Sequence, residues 1–234
     1  MFKFFVILQL IFCLVQTDAK AEPDFSSVQV VTSFYEPYSY LDDGLAQGVA
    51  VNQVRKIFAE LNYFPDIKIY PWVRAYKKAV NTPNTLIFSI ARTLEREELF
   101  HWVGEIVNFN VYLFKDKKRK DIQIDHLNQA SPYRIGALHQ DVKAQYLSKN
   151  GITTTPLTNE ESGIKMVLNQ RIDLLPTDIV SMKHRLKKLN LPSDALVPAY
   201  FLKEISRPLY IAMSKDTPTE IVEAFKAAYK RAFP

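Results

Sequence analysis

The sequence predicts an α/β protein made of two small lobes. Short apolar, β-branched segments alternate with segments of helical periodicity from residue 28 to residue 98. This alternation indicates a β-α-β-α-β-α order and a mainly parallel sheet flanked by helices. A second set of strand-like and helix-like segments follows from residue 109. A chain of 234 residues is long enough to build two such units around sizeable cores.

The elements of the first unit are indicated by periodicity and by helix-start signals. Val51, Val54 and Phe58 recur at helical spacing and define one apolar face. Pro71 suits the first position of the next helix, because its missing N–H would have no partner there. The predicted order is strand 28–32, helix 49–61, strand 67–70, helix 71–80, strand 85–90 and a helix that runs through residue 98.

The second unit is indicated by similar signals. Gly151 ends one predicted helix, and Thr158 with Glu161 forms a capping box for the next. Thr217 and Pro218 mark the start of the last helix. The predicted order is strand 109–114, strand 133–138, helix 142–150, a helix after 158, strand 172–176, strand 207–213 and the last helix.

The N-terminal residues 1–21 are typical of a cleaved secretory signal peptide. Lys3 precedes an apolar run over residues 4–15, and Ala19-Lys20-Ala21 forms an A-x-A cleavage signal. The apolar run is shorter than the ~20 residues that a membrane span needs. The only cysteine, Cys13, lies inside this run, so we expect an exported chain whose fold does not depend on disulfides.

The composition excludes several function classes. The formal net charge of +5 is too small to indicate nucleic-acid binding, and the basic run at 115–121 contains two acids and is typical of a solvated loop. The four histidines lack metal-ligand spacing, and we see no phosphate loop or nucleophile–base pair. We therefore expect no cofactor, no metal and no enzymatic activity.

Three groups of polar or aromatic residues follow predicted strands, where ligands of open α/β sheets bind. Tyr35 begins "YEPYSY" after the first strand and could stack on a ligand or pack in the core. Ser89 lies near the end of a later strand, and Thr93 and Arg96 follow it, where a helix N-terminus and a guanidinium could hold an anion. Asp178 ends "QRIDLLPTD" and could hold an ammonium group or cap a helix.

Together these segments resemble the periplasmic solute-binding proteins of ABC importers. The resemblance is to the branch that binds polar amino acids (bacterial extracellular solute-binding protein family 3), and it covers residues 28–233. It is carried by Ser89, Ala91, Thr93 and Arg96, by "GALHQDV" at 136–142 and by "QRIDLLPTD" at 170–178. The resemblance implies that Arg96 holds the α-carboxylate of the ligand, that Asp178 binds its α-amino group, and that Tyr35 covers it.

The sequence departs from this family at several positions. Ala91 replaces a second hydroxyl, and Asp141 stands where the family has threonine or serine. Asp141 either caps the following helix or faces the crevice, where it would repel an anion. The segment "PWVRAY" resembles a divergent subgroup, in which Trp72 could be core or ligand-binding and Arg74 could point into the cleft.

The resemblance also implies an architecture and a mode of action. It implies a type II periplasmic-binding-protein fold, with 22–109 and 206–234 in one lobe, 110–205 in the other and two hinge crossovers. A monomer would close on a small polar, amino acid-like ligand and deliver it to an ABC-type permease. The alternatives are a cyclohexadienyl dehydratase-like enzyme, with Asp141 or Glu105 as its acid, and a sensing module for a separate membrane receptor.

Overall fold

The computed structural model describes residues 23–234, so the predicted signal peptide lies outside the described residues. The helices are α1 (Val49–Glu60), α2 (Trp72–Asn81), α3 (Val142–Lys149), α4 (Glu160–Leu168), α5 (Ile179–Lys188) and α6 (Thr219–Ala232). The strands are β1 (Gln29–Ser33), β2 (Tyr40–Asp42), β3 (Leu45–Gln47), β4 (Ile67–Tyr70), β5 (Thr85–Ala91), β6 (Phe100–Val107), β7 (Val111–Asp116), β8 (Ile135–Leu138), β9 (Thr154–Leu157), β10 (Leu175–Asp178), β11 (Leu196–Phe201) and β12 (Leu209–Ser214).

A five-stranded sheet forms the first lobe, in the order β4-β1-β5-β12-β6. The predicted β-α-β order makes β1 parallel to β4 and to β5, whereas β12 runs antiparallel to both β5 and β6. The sheet is therefore mixed rather than mainly parallel. The predicted helix through residue 98 is also wrong: Leu94–Leu99 is a 3-10 helix, and β6 follows it directly. The aromatic and β-branched residues of β6 favour a strand.

The strands between residues 110 and 205 form the second lobe. β7 lies between β10 and β11 and is antiparallel to both, whereas β8 and β9 pair in parallel. A single bridge between Ile135 and Leu174 connects the two groups of strands. This lobe is also mixed rather than mainly parallel, although the predicted α/β class and two-lobed architecture are confirmed.

The first sheet is covered by helices on both faces. Neighbouring strand residues point to opposite faces, so Val30 of β1 belongs to the core under α1 and α6, and Val31 to the core under α2. Ala75 and Ala79 are the fully buried residues of α2, and their small size lets this helix lie close to the sheet. These layers fix the carboxyl ends of β1 and β5.

Two chain crossings join the lobes, near Asn110 and near Ser206. The Ser206 hydroxyl accepts a hydrogen bond from the Val111 N–H at 2.9 Å and donates one to the Leu202 carbonyl at 2.8 Å. The crossings are therefore bonded side by side, as a two-strand hinge requires. The lobe boundaries stay a prediction. The assignment of the strands to the two sheets is compatible with them.

We predict that Gly48→Ala strongly destabilises the fold, because Gly48 has a φ of 127° and an added Cβ would lie 2.3 Å from the Tyr38 carbonyl oxygen. The expected loss is about 3 kcal/mol in the free energy of unfolding, measured by urea denaturation. Gly44→Ala is the matched control: its φ is 78°, but nothing lies within 4 Å. It should lose only about 1 kcal/mol. Equal losses would contradict this interpretation.

Candidate functional site

A cavity of about 610 Å³ lies between the two lobes. The first lobe contributes the ends of β1 and β5, the start of α2 and the 3-10 helix, and the second contributes the starts of α3 and α4 and one residue of α5. Six of the residues that the sequence predicted for the site line this cavity: Tyr35, Trp72, Ser89, Ala91, Arg96 and Asp141. The other three, Arg74, Thr93 and Asp178, do not line it.

Tyr35 is held by the short loop that follows β1. The loop is tied to the start of α1, where the Val49 N–H donates to the Pro37 carbonyl at 3.0 Å. The Tyr35 ring stacks on Tyr38 with centroids 5.4 Å apart and meets the edge of Phe109 at 6.0 Å. Burial raises the pKa of its phenol well above the ordinary value. The protonated hydroxyl has no hydrogen-bond partner among the described residues, so it is free to donate to a ligand.

Ser89 occupies an irregular position on β5. β12 pairs its Tyr210 with Ile90 and its Ile211 with Phe88, so Ser89 is left without an opposite residue. Its φ of 61° is left-handed, which is costly for a residue other than glycine. The Ser89 hydroxyl is buried without a hydrogen-bond partner among the described residues. Strain and an unused hydroxyl at one cavity position are typical of a binding site.

Arg96 is only 2% exposed, although it lines the cavity. Its guanidinium lies over the rings of Trp72 and Tyr76, 5.0 and 5.1 Å from their centroids, and Nη1 donates to the Ala91 carbonyl at 3.1 Å. Nη2 is buried and has no partner among the described residues. Burial lowers the pKa of Arg96, but an arginine remains charged in proteins. Arg96 therefore presents an unused charged donor.

Lys143, Glu160 and Arg185 form a buried ionic cluster on the opposite wall. Lys143 Nζ donates to Glu160 Oε1 at 2.9 Å, while Arg185 Nη1 and the Thr177 hydroxyl donate to Oε2. Burial by itself would lower the pKa of Lys143 and raise the pKa of Glu160. Nevertheless, Asp141 and Glu160 raise the pKa of Lys143, and Lys143 and Arg185 lower that of Glu160. Lys143 and Arg185 also lie 5.2 and 5.4 Å from the Tyr35 ring centroid of the first lobe.

Sequence reasoning missed this cluster, although its members follow helical spacing. Glu160 lies four residues before the buried Ile164, and Lys143 lies four residues before the buried Leu147. Arg185 lies three residues after the buried Met182. In each helix a charged residue therefore occupies the apolar stripe. Charged residues at such positions are seldom buried unless they are paired, so the pattern was a usable signal.

Asp141 combines the two roles that the sequence left open. Its Oδ1 accepts a hydrogen bond from the Lys143 N–H at 2.8 Å and so caps α3, and its side chain also lines the cavity. Oδ2 lies 3.3 Å from Lys143 Nζ, so the negative charge already has a partner.

Both carboxylate oxygens of Asp178 accept hydrogen bonds from other groups of the protein. Oδ1 accepts hydrogen bonds from the Tyr38 hydroxyl at 2.8 Å and from the N–H groups of Val180 and Ser181, which caps α5. Oδ2 accepts the Asn110 N–H at 2.9 Å, and the residue is 1% exposed. The structure thus places Asp178 beside Asn110, as the helix cap that was its alternative role, and not on the cavity wall.

The other residues away from the cavity have local roles. Arg74 is exposed and lies over the Tyr70 ring at 4.5 Å. Thr93 precedes the 3-10 helix but makes no side-chain cap. Glu105, the alternative catalytic acid, lies on β6, accepts a hydrogen bond from the Tyr210 hydroxyl and does not line the cavity.

Several direct contacts hold the lobes together over the cavity. Trp72 Nε1 donates to the Gln140 carbonyl at 3.0 Å, and the Ser181 hydroxyl donates to the Glu36 carbonyl. Lys188 Nζ lies 2.7 Å from Glu36 Oε1. These three contacts join residues on opposite sides of the cavity.

Residues 23–234 lack the features of a membrane span and of a metal site. Within this range no helix has the length and apolarity needed to cross a bilayer. Nor do three or more His, Cys, Asp or Glu side chains of this range come together as metal ligands would.

Comparison of structures identifies similar folds. A histidine kinase sensor domain with similarity to periplasmic binding proteins has a TM-score of 0.75 and 14% identity, over 88% of this chain and 90% of that one. An ancestral arginine-binding protein bound to arginine also scores 0.75 at 14% identity, over 89% and 93%. This chain has the periplasmic-binding-protein fold.

A third structure with this fold concerns glutathione import in Gram-positive bacteria via GshT and the cystine ABC importer TcyBC of Streptococcus mutans. It has a TM-score of 0.74 and 14% identity, over 88% of this chain and 89% of that one. No known family of sequences matches the chain. None of the curated proteins matches it either. The resemblance noted in the sequence is thus confirmed at the level of the fold.

We predict that Glu160→Gln lowers the free energy of unfolding by about 3 kcal/mol at pH 7, because it leaves two buried cations without their shared carboxylate. The pKa of Glu160 is depressed in the fold, so its contribution is complete above the unfolded pKa and is lost as the pH falls through the folded pKa. The difference between wild type and variant should therefore narrow in acid, as urea denaturation at pH 7 and pH 3 would show.

The neighbouring Glu161→Gln is the control for this experiment. Glu161 is half-buried and pairs only with Lys188, whose side chain is 48% exposed. It should change the free energy of unfolding by no more than about 0.5 kcal/mol. A similar small effect of Glu160→Gln would show that the cluster does not stabilise the second lobe.

Proposed function

We propose that this protein is an extracytoplasmic solute-binding protein that captures a small carboxylate-bearing ligand between its lobes. The observation that carries the proposal is Arg96, a buried guanidinium on the cavity wall with an unpartnered Nη2. Two neutral donors on the same wall, the hydroxyls of Ser89 and Tyr35, are also unpartnered. A carboxylate can accept hydrogen bonds from all these groups at once. An amino acid or related compound, the ligand class that the resemblance implies, carries such a group.

Closure follows from the position of the cavity between the lobes. Arg96, Ser89 and Tyr35 belong to the first lobe, whereas Lys143 and Arg185 belong to the second. A ligand that contacts both walls binds the closed arrangement better than an open one, so it shifts the population towards closure. The paired crossings near Asn110 and Ser206 are suited to act as the hinge of this motion.

Delivery to an ABC-type permease is the next step of the proposal. The predicted signal peptide would direct the chain out of the cytoplasm, and one protein with this fold is described together with a cystine ABC importer. A monomer in its closed form would present a surface that the permease distinguishes from the open form. Binding without chemical conversion fits the site, since Asp141 is already paired with Lys143 and Glu105 lies elsewhere.

Ligand sensing for a separate membrane receptor is the second candidate. It is favoured by the similarity to a histidine kinase sensor domain. Both functions share the ligand-binding step and differ in the partner that recognises the closed form. Co-purification of the liganded protein with a permease supports transport, and co-purification with a signalling receptor supports sensing.

We predict that Arg96→Ala abolishes the thermal stabilisation of the protein by its ligand. A ligand at 100 times its dissociation constant should stabilise the wild type by about 2.7 kcal/mol. The variant loses the charged donor for the carboxylate, so a thermal-shift screen of amino acids, amines, organic acids and small peptides should show no carboxylate-dependent shift.

Arg74→Ala is the matched control for this variant. Arg74 lies one residue beyond the cavity wall and is exposed, so its removal should preserve the shift. Carboxylate-dependent shifts that persist in Arg96→Ala would overturn the proposed role of Arg96.

A further inference from the structure

Glu36 lines the cavity with a carboxylate that the protein leaves incompletely bonded. Its Oε2 is buried and makes no hydrogen bond to any described residue, although His184 Nε2 lies 3.3 Å away. An imidazole carries a charge only when it is protonated. The other oxygen, Oε1, lies 2.7 Å from Lys188 Nζ. One oxygen of Glu36 is therefore still able to accept a hydrogen bond from a ligand.

The lysine beside Glu36 also serves a second carboxylate. Lys188 Nζ lies 3.0 Å from an oxygen of Glu161, which lines the cavity as well. A single ammonium compensates only one of these two negative charges. With a neutral His184, this part of the cavity rim therefore keeps a surplus of one negative charge.

The other Lys, Arg, Asp and Glu side chains of the wall leave one positive charge. Lys143 and Arg185 are paired with Asp141 and Glu160, so these four charges cancel. Arg96 contacts two aromatic rings and one carbonyl, and its Nη2 has no partner among the described residues. The wall thus has a positive pole at Arg96 and a negative pole at the rim.

The two poles lie towards opposite faces of the five-stranded sheet. Arg96 lies over Trp72 and Tyr76 of α2, and both rings pack against the core under that helix. Glu36 directly follows Tyr35, which belongs to the core on the other face, under α1 and α6. The edge of the sheet therefore lies between the positive pole and the negative pole.

The two poles also meet different helices of the second lobe. Trp72, on which Arg96 lies, donates to the Gln140 carbonyl just before α3. Glu36 is bonded to Ser181 and Lys188, both of α5. An α-amino acid carries its ammonium and carboxylate on one carbon, which does not suit poles set apart in this way. The apolar side chains of the wall suit a hydrocarbon segment, and they include Phe34, Phe109, Leu138 and Leu157.

We propose that Glu36 determines specificity by binding the ammonium of a zwitterion whose two charges stand on different carbons, as in an ω-amino acid. The ligand carboxylate binds Arg96, and the ammonium donates to Glu36 Oε2. This inference rests on the proposed function and specifies its ligand class. Glu36 thereby takes the role expected of Asp178, whose oxygens already accept four hydrogen bonds from the protein.

The test is isothermal titration calorimetry with matched sets of three compounds at pH 8, above the usual titration range of imidazole. Each set contains an ω-amino acid, its α-amino isomer and the acid without an amino group. The sets are γ-aminobutyrate, α-aminobutyrate and butyrate; δ-aminovalerate, norvaline and valerate; and ε-aminocaproate, norleucine and caproate. For at least one chain length, the ω-amino acid should bind about 10-fold more tightly than both relatives, because only its ammonium reaches Glu36.

Glu36→Gln should abolish this preference, since the amide keeps the size of the side chain but removes its charge. The affinity for the acid without an amino group should stay unchanged, which shows that the variant is folded and that Arg96 still binds the carboxylate. Glu223→Gln is the matched control: Glu223 pairs with Lys226 on α6 and does not line the cavity. It should keep the preference in full.

The outcomes separate the role of Glu36 from the proposed function. If α-amino acids or simple acids bind as tightly as the ω-amino acids, and Arg96→Met abolishes this binding, the inferred class is wrong while the solute-binding function stands. A preference that persists in Glu36→Gln, or the absence of binding by all three sets, also overturns the inference. Binding that is unaffected by Arg96→Met overturns the proposed function as well.

Discussion

The burial of the Arg96 guanidinium is the constraint around which the cavity is organised. A charge removed from water needs compensation, and here the compensation from the protein is partial. Two aromatic faces and the Ala91 carbonyl stabilise the cation and hold its plane, yet one N–H group is left unpaired. The left-handed backbone at Ser89 places a second unpaired donor on the same wall. On the proposed function, the ligand would supply the remaining compensation.

In the second lobe the buried charges are paired with one another. Lys143, Glu160 and Arg185 satisfy one another, and Thr177 completes the hydrogen bonding of the carboxylate. Such a closed network gives a fixed polar wall and does not depend on a guest for its own stability. On the proposed function, the contrast between an incomplete wall in one lobe and a complete wall in the other would make the first lobe the one that recognises the charge of the ligand. The second lobe would then provide the surface against which the first closes.

The part of the fold that depends on local patterns could be predicted from the sequence. Alternation gave the α/β class, and Ser89 and Arg96, which were predicted for the site, do line the cavity. The strand β6 was missed because its residues follow a short 3-10 helix and read as a continuation of it. The antiparallel pairing of β12 depends on contacts between distant segments, which periodicity does not contain.

The differences between the predicted and the observed surroundings of the site residues have the same origin. The resemblance assigned an ammonium-binding role to Asp178, but that role depends on what faces the carboxylate. Tyr38, 140 residues away in the chain, donates to it. Lys143, Glu160 and Arg185 were also overlooked: each occupies the apolar stripe of its own helix, but only the packing of the three helices shows that they pair with one another. Residue type and local spacing predict what a side chain can do, whereas its partners are decided by tertiary structure.

The hydrogen bond from the Trp72 indole to the Gln140 carbonyl links tryptophan fluorescence to the contact between the lobes. The chain contains two tryptophans, and the other, Trp102, lies on β6, where its Nε1 donates to the Glu97 carbonyl inside the first lobe. Separation of the lobes would strip the Trp72 indole of its partner and expose it to water, while Trp102 would keep its surroundings. Because indole emission depends on local polarity, Trp72 is a native fluorophore at the boundary between the lobes, and Trp102 is an internal reference away from it.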